Sequence, residues 1–90
     1  MGRKLTESMK KHIAAKQNYR CANEPGKKLE RLENYQCLLW KLDGINRGIF
    51  DQSGYQIDHI VEYSQTHDDS ENNLQALCPN CHSFKKQEIL

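Results

Sequence analysis

The sequence predicts a small α+β domain, in which an N-terminal helix precedes one strand–loop–strand–helix unit and metal stapling replaces a large core. Three observations lead there. Residues 55–61 alternate like a half-buried strand, with Tyr55, Ile57, His59 and Val61 on one face. A polar stretch at 64–72 reads as a loop, the short run 74–77 as the returning strand, and Pro79 suits the first turn of a final helix running toward Leu90. Cys78 and Cys81 form a C-x-x-C pair where that helix would begin, with His82 directly behind.

The composition explains why a staple is needed. Ninety residues make one domain, 37% of it apolar, with a mean hydropathy of −0.91. A core this thin is marginal without a metal, disulfides or a partner. The sequence shows no signal peptide and no apolar run near the ~20 residues of a membrane span. The expectation is therefore a soluble, intracellular protein in the cytoplasm of its host cell, with no membrane partner and a phage or viral origin left open. In a reducing compartment, C-x-x-C with two further cysteines favours metal over disulfide.

Net charge is only +1, but it is unevenly spread. Residues 1–31 carry nine Lys/Arg against three Asp/Glu, and residues 32–90 carry four against nine. A basic arm on an acidic, histidine-bearing body suits a domain that meets a polyanion and holds a cation. Two solvated faces would give the same pattern, and both readings stay open for the arm.

Three segments of a single domain follow in order: residues 1–20 as helix and basic arm, 21–54 as a zinc half-site with an insertion, and 55–90 as the chemistry-bearing unit. The helix is expected over 6–19, capped by Thr6, with Met9 and Ile13 on a narrow apolar face. Glu24-Pro25-Gly26 is a turn. Residues 27–34 are charged and read as a helical turn or a surface loop, mainly solvated, with phosphate contact by Lys27, Lys28 or Arg31 as the alternative. The densest apolar patch is 35–42, where Trp40 is read as a core plug and not as a base-stacking residue.

Cys78 and Cys81 have the spacing of a zinc knuckle, whose loop brings two thiolates to one ion at ~2.3 Å. Cys21 and Cys37 are the only other thiols available to complete a tetrahedral set, although fifteen residues lie between them where two are usual. Disulfides or free buried thiols are the alternative.

The blocks Ile57-Asp58-His59-Ile60, then Asn73-Leu74-Gln75-Ala76-Leu77-Cys78, then Cys81-His82 and Lys85 recur in an order and spacing that resembles the HNH endonuclease family. The resemblance covers residues 55–86 and extends weakly to Asn18-Tyr19-Arg20-Cys21. There the chain departs from the family, with Glu24 where a second cysteine often stands and Cys37 in its place after an insertion. The resemblance implies a ββα-metal (His-Me finger) core with a structural Zn²⁺ on Cys21, Cys37, Cys78 and Cys81. It implies His59 as the general base that activates water, Asp58 and His82 as ligands of a catalytic divalent ion, and Asn73 as a brace that orients His59 through the backbone. The product would carry a 5′ phosphate and a 3′ hydroxyl. The ion is expected to be Mg²⁺, with Mn²⁺, Ni²⁺ or Co²⁺ tolerated because an imidazole ligand shifts preference that way.

One geometric condition goes with this. Asp58 and His59 would face opposite sides of a regular strand, so they must sit at a strand end or a bulge. Cys81 and His82 raise no such conflict, since neighbours on a helix point about 100° apart.

The functional expectation is a metal-dependent endonuclease acting on DNA, chiefly double-stranded, as a monomer or weak dimer. It would nick with low sequence specificity, because no separate recognition domain is visible. Lys27, Lys28, Lys85 and Lys86 are the candidate phosphate contacts. The rival is a non-catalytic zinc module that only binds nucleic acid; it accounts for the cysteines and the arm but not for Asp58, His59 and His82 together. Of the remaining candidates, His12 reads as an exposed helix residue and His67 with Asp68-Asp69 as loop polarity. Tyr63 and Gln56 are weak candidates for DNA backbone contact.

Overall fold

A computed structural model describes residues 5–61, 63–67 and 70–87. The start of the basic arm, the Asp68-Asp69 pair and the chain end at 88–90 lie outside the described residues, as does the side chain of Tyr63. The elements run α1 (Glu7–Lys16), a 3₁₀ turn (Leu39–Lys41), β1 (Gln56–His59), α2 (Tyr63–Thr66, a single turn), a 3₁₀ turn (Glu71–Asn73), β2 (Leu74–Leu77) and α3 (Pro79–Gln87). The architecture is α+β and is consistent with a ββα-metal core. No helix among the described residues is long and apolar enough to cross a membrane.

Thr6 caps α1, its Oγ1 accepting from Met9 N at 3.1 Å. The helix ends three residues earlier than the sequence pattern suggests. Asn18 and Tyr19 both adopt left-handed φ, 56° and 58°, and Tyr19 N turns back to Ala14 O at 2.9 Å. The stretch expected to be loop throughout, 64–72, is instead bracketed by α2 and a 3₁₀ turn. Both are too short to carry a hydrophobic period, so polarity alone hid them.

β1 and β2 pair antiparallel, with Gln56 opposite Leu77, Ile57 opposite Ala76, Asp58 opposite Gln75 and His59 opposite Leu74. All four residues of β2 are buried. Ile13 and Ala14 of α1 pack with Leu74 and Ala76, and Met9, Phe50, Tyr55 and Ile57 close round them. Leu77 joins the second cluster, with the four cysteines and Leu32. The open edge of β2 is covered without a third strand. Gln17 uses its side-chain amide as a peptide would, donating to Ala76 O at 3.0 Å and accepting from Ala76 N at 2.8 Å.

Residues 19–21 run beside 48–50 through Cys21 N to Gly48 O at 2.8 Å and Phe50 N to Tyr19 O at 2.9 Å. Trp40 is half-buried and plugs the space beside this pairing. Its Nε1 donates to Cys21 O at 2.8 Å, and its ring lies so close to Gly48 that a Cβ there would stand 2.3 Å away. Gly48 has φ +79°, so both space and backbone demand glycine. The 27–34 segment is not wholly solvated: Leu32, 1% exposed, enters the cysteine cluster.

Candidate metal centre and active site

α3 presents two different faces to two different groups. Cys78 precedes it and Cys81 lies in its first turn, where they meet Cys21 from the loop after α1 and Cys37 from the residues before the first 3₁₀ turn. All four thiols are buried, and their Sγ atoms lie within 4.8 Å of one another. Cys37 Sγ and Cys78 Sγ are 3.7 Å apart. A tetrahedron with Zn–S bonds of ~2.3 Å has an edge of about 3.8 Å, whereas a disulfide needs ~2.05 Å.

Backbone and side-chain donors surround the sulfurs. Cys78 N donates to Cys21 Sγ at 3.3 Å, Cys81 N to Cys78 Sγ at 3.5 Å, and Asn23 Nδ2 to Cys81 Sγ at 3.5 Å. The thiols share protons unequally. Hydrogen bonding from Cys21 holds Cys78 far below the ordinary thiol value and Cys37 down at about 7. Contact with Cys37 pushes Cys21 up, and contact with Cys21 pushes Cys81 up. A divalent cation resolves such a set, and the cluster fits a structural metal such as zinc.

The second group begins at the end of β1. Register is unbroken through Asp58 and His59, and the strand stops at His59. The two residues therefore sit at a strand end, with no bulge. Asp58 is 9% exposed and faces its cross-strand neighbour, with Gln75 Nε2 3.1 Å from its Oδ2. Lys85 Nζ lies 2.5 Å from the same oxygen and 2.7 Å from His59 O.

Beyond His59, Asn73 takes over. Its backbone carbonyl accepts from Ile60 N at 2.8 Å. Its side chain forms a two-way pair with Val61, accepting from N at 2.9 Å and donating to O at 3.0 Å.

His82 follows Cys81 on α3 and is half-buried. Burial pushes its pKa below the usual imidazole value, the Asp58 carboxylate pulls the other way, and Lys86 and Lys85 add to the lowering. Asp58 and His82 thus share one electrostatic neighbourhood, and a neutral imidazole keeps a lone pair for a cation. Among the described residues, the thiols form the only group of three or more metal-binding side chains within 4.8 Å. Asp58 and His82 interact electrostatically but belong to no such set.

One candidate phosphate contact needs correction. Lys85 is 1% exposed and its ammonium is spent on Asp58 and His59, so it does not reach a phosphate. Lys27, Lys28 and Lys86 are exposed, and Lys27 lies 3.7 Å from Glu24. His12 is exposed, 3.1 Å from Glu71, which also holds Lys16 at 2.7 Å. His67 is exposed with left-handed φ, 53°, and Gln56 is exposed on β1.

Two residues without a role in the sequence reading prove central. Gln75 was visible only as part of a motif, and its partnership with Asp58 follows from strand register. Asn23, buried two positions after Cys21, ties Tyr35 O at 3.0 Å to Cys81 Sγ and so closes the insertion onto the cluster.

A two-stranded antiparallel sheet, a following helix and a four-thiol cluster at their junction define a metal-stapled ββα domain. Residues 46–88 match the family model of the HNH endonucleases. Comparison with curated proteins and with solved structures gives no match. An HNH domain points to nuclease activity or nucleic-acid binding.

Proposed function

We propose that residues 1–90 form one nuclease domain that hydrolyses DNA phosphodiester bonds with a divalent cation, nicking as a monomer with low sequence specificity. The observation that carries this reading is the clamping of the β1 end. His59 is held on one side through its own carbonyl and on the other through Ile60 and Val61, directly beside Asp58. Such fixing suits a group that must take a proton from water at a set place, a contribution of ~10²–10⁴-fold. Asp58 and His82 would hold the cation: a carboxylate with both its hydrogen bonds on Oδ2 and a neutral imidazole form a mixed oxygen–nitrogen pair. Bound there, a divalent ion supplies charge stabilisation to the phosphate and the leaving oxygen. Mg²⁺ is the expected ion, with Mn²⁺, Co²⁺ or Ni²⁺ tolerated. Asn73 supports His59 from behind, and Lys27, Lys28 and Lys86 offer exposed charge to duplex DNA. Binding that rests on phosphate contacts is weakly specific and falls with salt.

The test is nicking of supercoiled plasmid with Mg²⁺ or Mn²⁺ by the parent chain and by His59→Ala. Loss of nicking in the variant, with zinc and fold retained, supports catalysis. Equal nicking by both removes it. A second reading draws on Lys85: because Asp58 already has a buried cationic partner, the pair can serve packing in a zinc module that only binds nucleic acid. That module would shift DNA in a gel and leave the plasmid supercoiled.

A further inference from the structure

We propose that Lys85 is a positioning residue for the cation site. Its buried ammonium holds Asp58 by Oδ2 and His59 by the backbone carbonyl, which would leave Oδ1 of Asp58 for a cation held together with His82. This inference rests on the nuclease reading above and assigns a role to a residue outside the Asp–His–Asn–His set.

Three features support it. First, a lysine that is 1% exposed is costly, since the ammonium gives up water for protein partners. An apolar side chain would fill the same space between α3 and the sheet without that cost. Second, the ammonium bridges consecutive residues with different tasks, at 2.5 Å from Asp58 Oδ2 and 2.7 Å from His59 O. One group thereby fixes the spacing between the proposed ligand and the proposed base. Third, Gln75 Nε2 reaches the same oxygen at 3.1 Å from the facing strand. Both donors fall on Oδ2, which sets the plane of the carboxylate. Carboxylates that bind metal are commonly oriented in this way by outer hydrogen bonds, and removing such a partner lowers metal affinity or activity about 10–100-fold.

Mn²⁺ binding to the zinc-loaded chain, followed by the loss of the free Mn²⁺ electron paramagnetic resonance signal, tests the role apart from turnover. Lys85→Met should keep its zinc and bind Mn²⁺ about 10–100-fold more weakly than the parent, and Asp58→Asn should abolish binding at this site. If Lys85→Met fails to hold zinc, Gln75→Leu carries the test, because it removes a donor from Oδ2 without leaving a buried charge unpaired. Its affinity should fall in the same direction by a smaller factor. Mn²⁺ binding as tight as the parent's, or tighter, in whichever variant keeps zinc overturns the role of Lys85, and so does a parent chain that binds no Mn²⁺. The nuclease reading is judged separately, on nicking by the parent against His59→Ala. Unchanged Mn²⁺ binding in Lys85→Met beside lost nicking in His59→Ala removes the positioning role alone.

Discussion

The two ends of the β-strand pair and α3 hold their groups in opposite ways. At the thiol end, four buried side chains from three separate parts of the chain converge within 4.8 Å, and backbone N–H groups already point at their sulfurs. At the other end, His82 feels the Asp58 carboxylate, the two belong to no set of three metal-binding side chains within 4.8 Å among the described residues, and the charge of Asp58 is shared with Lys85. The first arrangement can close a coordination sphere; under the proposed function the second would leave most of one open. Structural and catalytic metal sites differ in this respect. Cys81 and His82 project about 100° apart on one helix, so a metal that fixed Cys81 would also fix the direction of His82.

Breaking the closed end has the largest expected effect. Structural zinc is worth about 10–16 kcal/mol in finger peptides, against the ~5–15 kcal/mol total stability of ordinary domains. Cys81→Ser, or a strong chelator, should therefore abolish the fold and not merely loosen one corner. Amide NMR dispersion read together with zinc content checks this. A chain that keeps dispersed amides after losing its zinc would show that the apolar core suffices.

Gly48→Ala strains the same end without touching a ligand. The new methyl would stand 2.3 Å from the Trp40 ring, whose Nε1 holds the Cys21 carbonyl, and the backbone is left-handed there. Overpacking of this kind costs about 1–3 kcal/mol, which lowers the melting temperature of a small domain by roughly 4–8 °C per kcal/mol. Calorimetry on the zinc-loaded variant measures it. Nicking per folded molecule should stay near the parent's, since nothing at the β1 end is altered.

The contrast between the two ends also governs what the sequence could reveal. Cys78 and Cys81 announce the thiol cluster by spacing, and the order of the Asp58-His59, Asn73 and His82 blocks carries the family resemblance. Cys37 could be added only because no further thiol existed. Leu32 was hidden inside a run of charges, where no period marks a single buried leucine. Lys85 reads as a candidate phosphate contact because a lysine near His82 on the last helix suits that role. Yet it stands four positions after Cys81 and seven after Cys78, and helical geometry puts that spacing on the buried face. The signal was present for Lys85. For Gln75 it was absent, because its partner is set by strand register, and register depends on how the whole sheet is packed.

Asn73 is where the two ends can be separated most finely. Its side chain makes two hydrogen bonds to the backbone of Val61, and no thiol or thiol-bonded group is involved. Asn73→Ala leaves a partly buried N–H and C=O to find water, a cost of about 1–3 kcal/mol, so zinc content should be unchanged and the melting temperature moderately lower. Asn73→Asp is the sharper variant, because it can still accept from Val61 N but can no longer donate to Val61 O. If these bonds hold His59 in line, both variants should lose nicking at temperatures where they are fully folded, with alanine the worse. Plasmid nicking measured well below the variants' melting temperatures decides the matter. Activity that simply tracks the folded fraction would mean that Asn73 secures the loop for stability alone, and that the end of β1 needs no bracing to work.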